Sequence, residues 1–110
     1  RPAMIVVTTP TIAGSEITEV LGMVRGSSIR SKHAGKDVIA MFRNMAGGEI
    51  HEYTRMLAQA REQAVDRMIE EAQALNADAV VAVRFQTSMI MKGAAEMLCY
   101  GTAVQLDFER

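Results

Sequence analysis

At 110 residues the chain has the length of one domain, and its 49% apolar and 23% charged residues exclude an intrinsically disordered segment. A formal net charge of −1 offers no overall attraction to nucleic acid or to an anionic membrane. The single cysteine excludes an internal disulfide and any paired-cysteine zinc or redox centre, which fits a reducing compartment.

No stretch approaches the ~18 consecutive apolar residues of a membrane span, and "RPAMIVV" lacks the long apolar run of a secretory leader. A cytoplasmic protein with no membrane or nucleic-acid partner is expected. Residues 1–110 read as a single domain, with Arg1 to Ala3 as an expression remnant ahead of a natural start at Met4.

The first predicted element is a short strand in "MIVVTTP", β-branched and stopped by Pro10, which cannot donate to a ladder. Thr11 to Ser15 is a turn. "EITEVLGMVRG" alternates as a second strand and is expected to end near Gly26. Val38, Met41, Phe42 and Met45 recur at helical spacing, predicting a short helix over 34–46 closed by Gly47-Gly48. From Glu49 to about Leu75 a long helix is expected, with Tyr53, Leu57, Ala60, Ala64, Met68, Ala72 and Leu75 on one stripe. Asn76 suits the left-handed conformation that ends such a helix, and "ADAVVAVRF" opens a β pattern. Lys92-Gly93 predicts a two-residue turn into the last strand, Ala95 to Leu106.

Three methionines and the only cysteine fall within "MIMKGAAEMLC", and thioether and thiolate are soft donors suited to copper(I) or a similar ion. Hairpin register decides whether they meet. With a two-residue turn Met89 faces Glu96, Phe85 faces Tyr100 and Val81 faces Val104, so Met89 and Met91 lie on one side and Met97 and Cys99 on the other. That register gathers Val81, Val83, Phe85, Leu98, Tyr100, Val104 and Leu106 on one face, which burial favours at roughly 1.5–3 kcal/mol per large apolar side chain. A three-residue loop would bring Met89 opposite Met97, and a bulge would alter either pairing. The nine methionines are spread over nearly every element and serve as core filler. Cys99 and Met97 remain the metal candidates, and a soft metal ion is the one cofactor with a candidate donor set.

Arg25, Arg30, Lys32, Lys36 and Arg43 form an uneven basic block opposed only by Asp37. Such a block is ordinarily a solvated face, and Arg25, Arg30 and Lys32 are the candidates for an anionic ligand. No aromatic residues interleave to stack on bases. "HEYTR" opens like a zinc-protease helix but carries Arg55 where the second histidine belongs. Gly47-Gly48 reads as a hinge, with Glu49 beside it to repel an anion. No nucleophile, base and acid recur at informative spacing, so a non-enzymatic protein is expected.

The expected fold is α+β, a short antiparallel sheet packed on one long helix in the order β-β-α-α-β-β. The helix would cover the face of Phe85 and Tyr100. The other face, carrying Met97, Cys99, Ala82, Val80 and Ala103, then needs a second copy, so a homo-oligomer is expected, either ring or dimer.

"TTPTIAG", "LGMVRG", "FRNMAGGEIHEY", "ALNADAVVAVRF" and "GTAV" fall in an order and spacing that resembles the YbjQ-like family of small, uncharacterised bacterial proteins, which carries a heavy-metal-binding label. The resemblance spans nearly the whole chain. It implies a dodecin-like subunit in a homo-oligomeric, pentameric ring, and it implies a scaffold or a binder of an unknown small ligand. The alternative it supports is a soft-metal protein using Cys99 and Met97 at a subunit interface. The family has glycine where Asn76 stands, a less basic stretch after Gly26, and a longer loop before "EMLCYGTAV".

Overall fold

The computed structural model describes residues 3–31, 51–91 and 94–108. Five elements follow one another: β1 (Ile5–Val6), β2 (Glu16–Ser31), α1 (His51–Ala74), β3 (Ala79–Met91) and β4 (Ala94–Asp107). The expected short helix over 34–46, with Gly47-Gly48, lies outside the described residues. The described order is β-β-α-β-β. The four strands form one sheet in the order β1-β3-β4-β2.

The sheet is mixed rather than antiparallel throughout, because β1 runs parallel to β3, pairing Ile5 with Ala79 and Val6 with Val80. Only the first part of "MIVVTTP" is strand; beyond it Val7 still donates to Val80 O, and Thr9 O accepts from Ala82. By contrast β2 continues past Gly26 to Ser31, following β4 along its length. Sixteen residues at about 3.3 Å each give a strand of about 50 Å. Gly26 is not a stop signal. It is the place where the helix touches the sheet.

The buried stripe of α1 is Met56, Ala60, Ala64, Met68 and Ala72, a strict four-residue repeat. This corrects the predicted stripe, in which Leu57 stood for Met56; Leu57 is only half-buried and Leu75 is exposed. Alanines at every fourth position leave the helix backbone bare on that side. A side-chain carbon on Gly26 would meet Ala64 O and Met68 N of that backbone. Gly26 and the alanine stripe are thus two halves of one close contact.

The helix ends as Asn76 suggested. Asn76 sits at φ 63°, its N–H bonds Gln73 O at 3.0 Å, and the Ala77 N–H reaches back to Ala72 O at 3.1 Å. This is the paired closure of a helix through a left-handed residue, with Ala77 packing in the same core as Ala72. Asn76→Ala is expected to cost about 1 kcal/mol and Asn76→Gly to be neutral or slightly stabilising. Urea melts of the two variants check this; equal losses would mean that the left-handed backbone is not the reason for the residue.

The expected turn at Lys92-Gly93 lies outside the described residues; beside it Met91 pairs with Ala94 as expected, and the hairpin then departs from the predicted register. Ile90 is an extra residue on β3, so Met89 pairs with Ala95, Thr87 with Met97 and Phe85 with Cys99. A second bulge at Ala82–Val83 carries Ala82 to φ 57° and shifts the pairing again, to Val81 opposite Thr102. Gly101 fits inside this second bulge; a Cβ there would stand 2.7 Å from Val80 Cγ1 and 3.0 Å from Val83 Cγ2.

The β4 side chains consequently face the reverse of the way predicted, while Val83 lies beneath the helix as expected. Val24, Val80, Val83, Met97, Cys99 and Ala103 pack with Ala60, Ala64, Met68 and Ala72 beneath the helix. Ala79, Val81, Val104 and Leu106 form a smaller cluster, packed with Ile5, Val7, Ile12, Ile17 and Phe108. The chain itself therefore covers the Cys99 face. Leu98 and Tyr100 lie on the face away from the helix, and Phe85, though paired with Cys99 on the helix side, stands outside the cluster and is exposed.

Candidate functional site

Cys99 and Met97 are two residues apart on β4 and so share a face. Across from them on β2 stand Gly26 and Ser28. The Cys99 side chain is fully buried, and Met97 is nearly so. Ser28, the one buried polar residue described, donates its hydroxyl to Gln63 Oε1 at 2.6 Å, and Thr87 donates to Met97 Sδ at 3.2 Å. Met89, paired with Ala95, comes onto this same side of the sheet through the bulge at Ile90. Its diagonal relation to Met97 puts a second thioether within reach of long side chains. Sequence reasoning missed Met89 because the bulge that brings it there has no glycine, proline or asparagine to announce it.

Burial pushes the Cys99 thiol above its ordinary value of 9.0, against the smaller opposing effect of a hydrogen bond from the Gly26 backbone. The group is a protonated thiol at neutral pH and a poor nucleophile. Its linkage to stability has a definite sign. Above pH 9 the unfolded chain releases the thiol proton while the folded chain holds it, so stability falls with rising pH through that window, by at most about 1.4 kcal/mol per unit. Cys99→Ala should flatten the alkaline limb of the stability profile. Native-state alkylation of Cys99 should run at least about 100-fold slower than in denaturant, since only opened molecules react. Alkylation at the rate of a free thiol would refute the burial.

Of the three basic candidates, Arg25 and Arg30 are five positions apart on β2 and project to opposite sides. Arg25 is exposed, and its backbone N–H bonds Glu71 Oε1 at 2.9 Å; Arg67 Nη1 likewise reaches Ser27 O at 2.7 Å. These two helix side chains satisfy backbone groups on the outer edge of β2. Arg30 instead lines a groove against Arg55, Gln59 and Gln63 of the helix. Lys32 lies outside the described residues, so the trio is not assembled by what is described. The i, i+4 spacing of Arg55, Gln59 and Gln63 was the available signal for the groove.

Among the described residues no three His, Cys, Asp or Glu side chains gather closely enough to hold a metal ion, and no helix is long and apolar enough to cross a membrane. Asp78 has a structural role: its Oδ2 accepts Leu106 N–H at 2.9 Å, and its own N–H bonds Val104 O. On the sheet face away from the helix, Met23 and Ile29 are 63% and 62% exposed, with Val20 and Tyr100 also open to solvent. Among the described residues β3 has no strand on its outer side from Arg84 to Ser88.

A long helix laid along one face of a four-stranded mixed sheet, with a single thiol sealed between them, defines a small α+β domain. The chain belongs to the family described as "Putative heavy-metal-binding" (YbjQ_1), which it matches over residues 4–107. It is 59% identical to a UPF0145 protein of Methanosarcina acetivorans, over 94% of this chain and 97% of the relative, and 56% identical to those of Thermosipho africanus and Archaeoglobus fulgidus. In structure it resembles a protein of unknown function from Pediococcus pentosaceus, with a TM-score of 0.61 at 18% identity, covering 94% of this chain and 98% of that one. That likeness concerns the fold alone.

Proposed function

We propose that this chain is a self-associating, non-enzymatic subunit whose assembly scaffolds or binds a small ligand. The observation that carries the reading is the open sheet face: Val20, Met23 and Ile29 stand exposed along one long strand with Tyr100 beside it, large apolar side chains that a second copy can cover. The outer side of β3 from Arg84 to Ser88 adds ladder groups that a second copy can pair. A closed ring, the pentamer included, satisfies every copy alike. The chain weighs 12.0 kDa, and light scattering behind gel filtration should return a whole multiple of that mass. A stable 12.0 kDa species at micromolar concentration would end the reading.

A second reading is soft-metal binding, supported by Met89, Met97 and Cys99 sharing one side of the sheet. The Cys99 and Met97 sulfurs are soft donors suited to a monovalent soft ion, which would bind the thiolate and displace its proton. Cys99 would hold the ion with Met97 beside it. Burial of the thiol makes uptake slow and favoured by rising pH. Silver(I) titration by native mass spectrometry should show one ion per chain lost in Cys99→Ser; unchanged stoichiometry would remove this reading and leave the first standing.

A further inference from the structure

The groove between the end of β2 and the first half of α1 has a volume of about 500 Å³ and is lined by Arg30, Arg55, Gln59, Glu62, Gln63 and Asp66. Arg30 Nε in its wall is buried and has no hydrogen-bond partner. A guanidinium stays charged at any physiological pH, and Arg30, with Nε enclosed and unpaired, sets a positive charge in the groove wall that an anionic group in the groove offsets.

The charges in the groove are sorted along its length. Ser27 O meets Arg67 and Ser28 meets Gln63, so following β2 onward moves toward the start of the helix. Arg30, two residues further, lies at the Arg55–Gln59 end. Glu62 and Asp66 lie at the other end, Glu62 being seven residues, about 10 Å along the axis, from Arg55. Two positive and two negative side chains leave the groove neutral as a whole, so a simple anion or a simple cation is attracted at one end and opposed at the other. The two ends are about one screening length apart at physiological ionic strength and act on separate parts of a bound molecule.

We propose that this groove binds a small zwitterion, with a carboxylate held by Arg30 and Arg55 and an ammonium group several bonds away held by Glu62 and Asp66. Gln59 and Gln63 line the stretch between with carboxamides suited to a polar backbone such as that of a short peptide. The proposal extends the small-ligand reading, but it places the site on the helix side of the sheet, away from the face assigned to self-association. Binding and native mass therefore fail independently.

The test is calorimetric titration of the whole chain with 6-aminohexanoate, using hexanoate and hexylammonium as single-charge comparators. The zwitterion should bind at least about tenfold more tightly than either comparator. Arg30→Gln and Arg55→Gln should each weaken it about tenfold, and Glu62→Gln should narrow the gap between the zwitterion and hexanoate. If Arg30→Gln fails to fold, judged by circular dichroism, Arg55→Gln on the exposed helix surface decides alone. Equal affinity for all three probes, no binding of the zwitterion, or an Arg55→Gln variant of unchanged affinity would overturn the proposal.

Discussion

Gly26→Ala is expected to destabilise the protein by about 2–3 kcal/mol although it adds one methyl group. Position 26 carries no left-handed backbone, so alanine there removes freedom from the unfolded chain and would by itself stabilise by about 0.4–1 kcal/mol. Contact reverses the sign. The new carbon would fall on Ala64 O and Met68 N, which are backbone atoms of a helix and cannot rotate away as a side chain could. The helix must lift, and lifting it loosens Ala60, Ala64 and Met68 against Val24 and Cys99 together, the situation in which overpacking costs about 1–3 kcal/mol or more. Gly22→Ala is the informative comparison. It has nothing within 4 Å of the added carbon but sits at φ 124°, so its loss arises from backbone conformation rather than from the helix. Chemical denaturation of both, with Cys99 alkylation as a second readout, separates the mechanisms: only Gly26→Ala should make the thiol more reactive in the folded state.

Met68→Ala should cost about 3 kcal/mol, within the 2–5 expected for emptying a fully buried methionine site. Met68 is completely enclosed and is the largest of the fully buried side chains among the described residues. Its neighbours one turn away on the buried stripe are Ala64 and Ala72, too small to fill the void. Met68→Leu, which keeps the volume, should cost less than about 1.5 kcal/mol. Midpoints from urea melts at constant slope give both numbers. A Met68→Ala loss below 1 kcal/mol would mean that the helix does not seat on the sheet at this point.

What the sequence showed and what it hid follow from the range of the forces involved. Asn76 was legible because helix termination is local, set by one residue's tolerance of a left-handed backbone. The long helix was legible because its alanine and methionine spacing persists over many turns. The pairing of Met91 with Ala94 was legible because the first pair of a hairpin is set locally. The bulges were not legible, since Ile90 and Ala82 are ordinary residues whose irregular backbone is held by tertiary contacts, Gly101 against Val80 and Val83 among them. Each bulge moves the remaining side chains to the opposite face, so a first pair placed correctly still led to the wrong face for Cys99. Gly26 was misread for a related reason: a glycine in a strand marks either an end or a close approach, and the approaching helix lies some forty residues further along the chain. Of the candidate site residues, Cys99 and Met97 do lie together as their spacing requires, while Arg25 and Arg30 part company because strand alternation separates them.

The native mass of a folded Met23→Glu/Ile29→Glu double variant, measured beside that of the parent chain, puts the arrangement of faces to the test. The parent should give a whole multiple of 12.0 kDa, and the double variant, with unchanged circular dichroism and a still unreactive Cys99, should fall to 12.0 kDa. A double variant that kept the parental mass would contradict the assignment of the Met23 and Ile29 face to contact between copies.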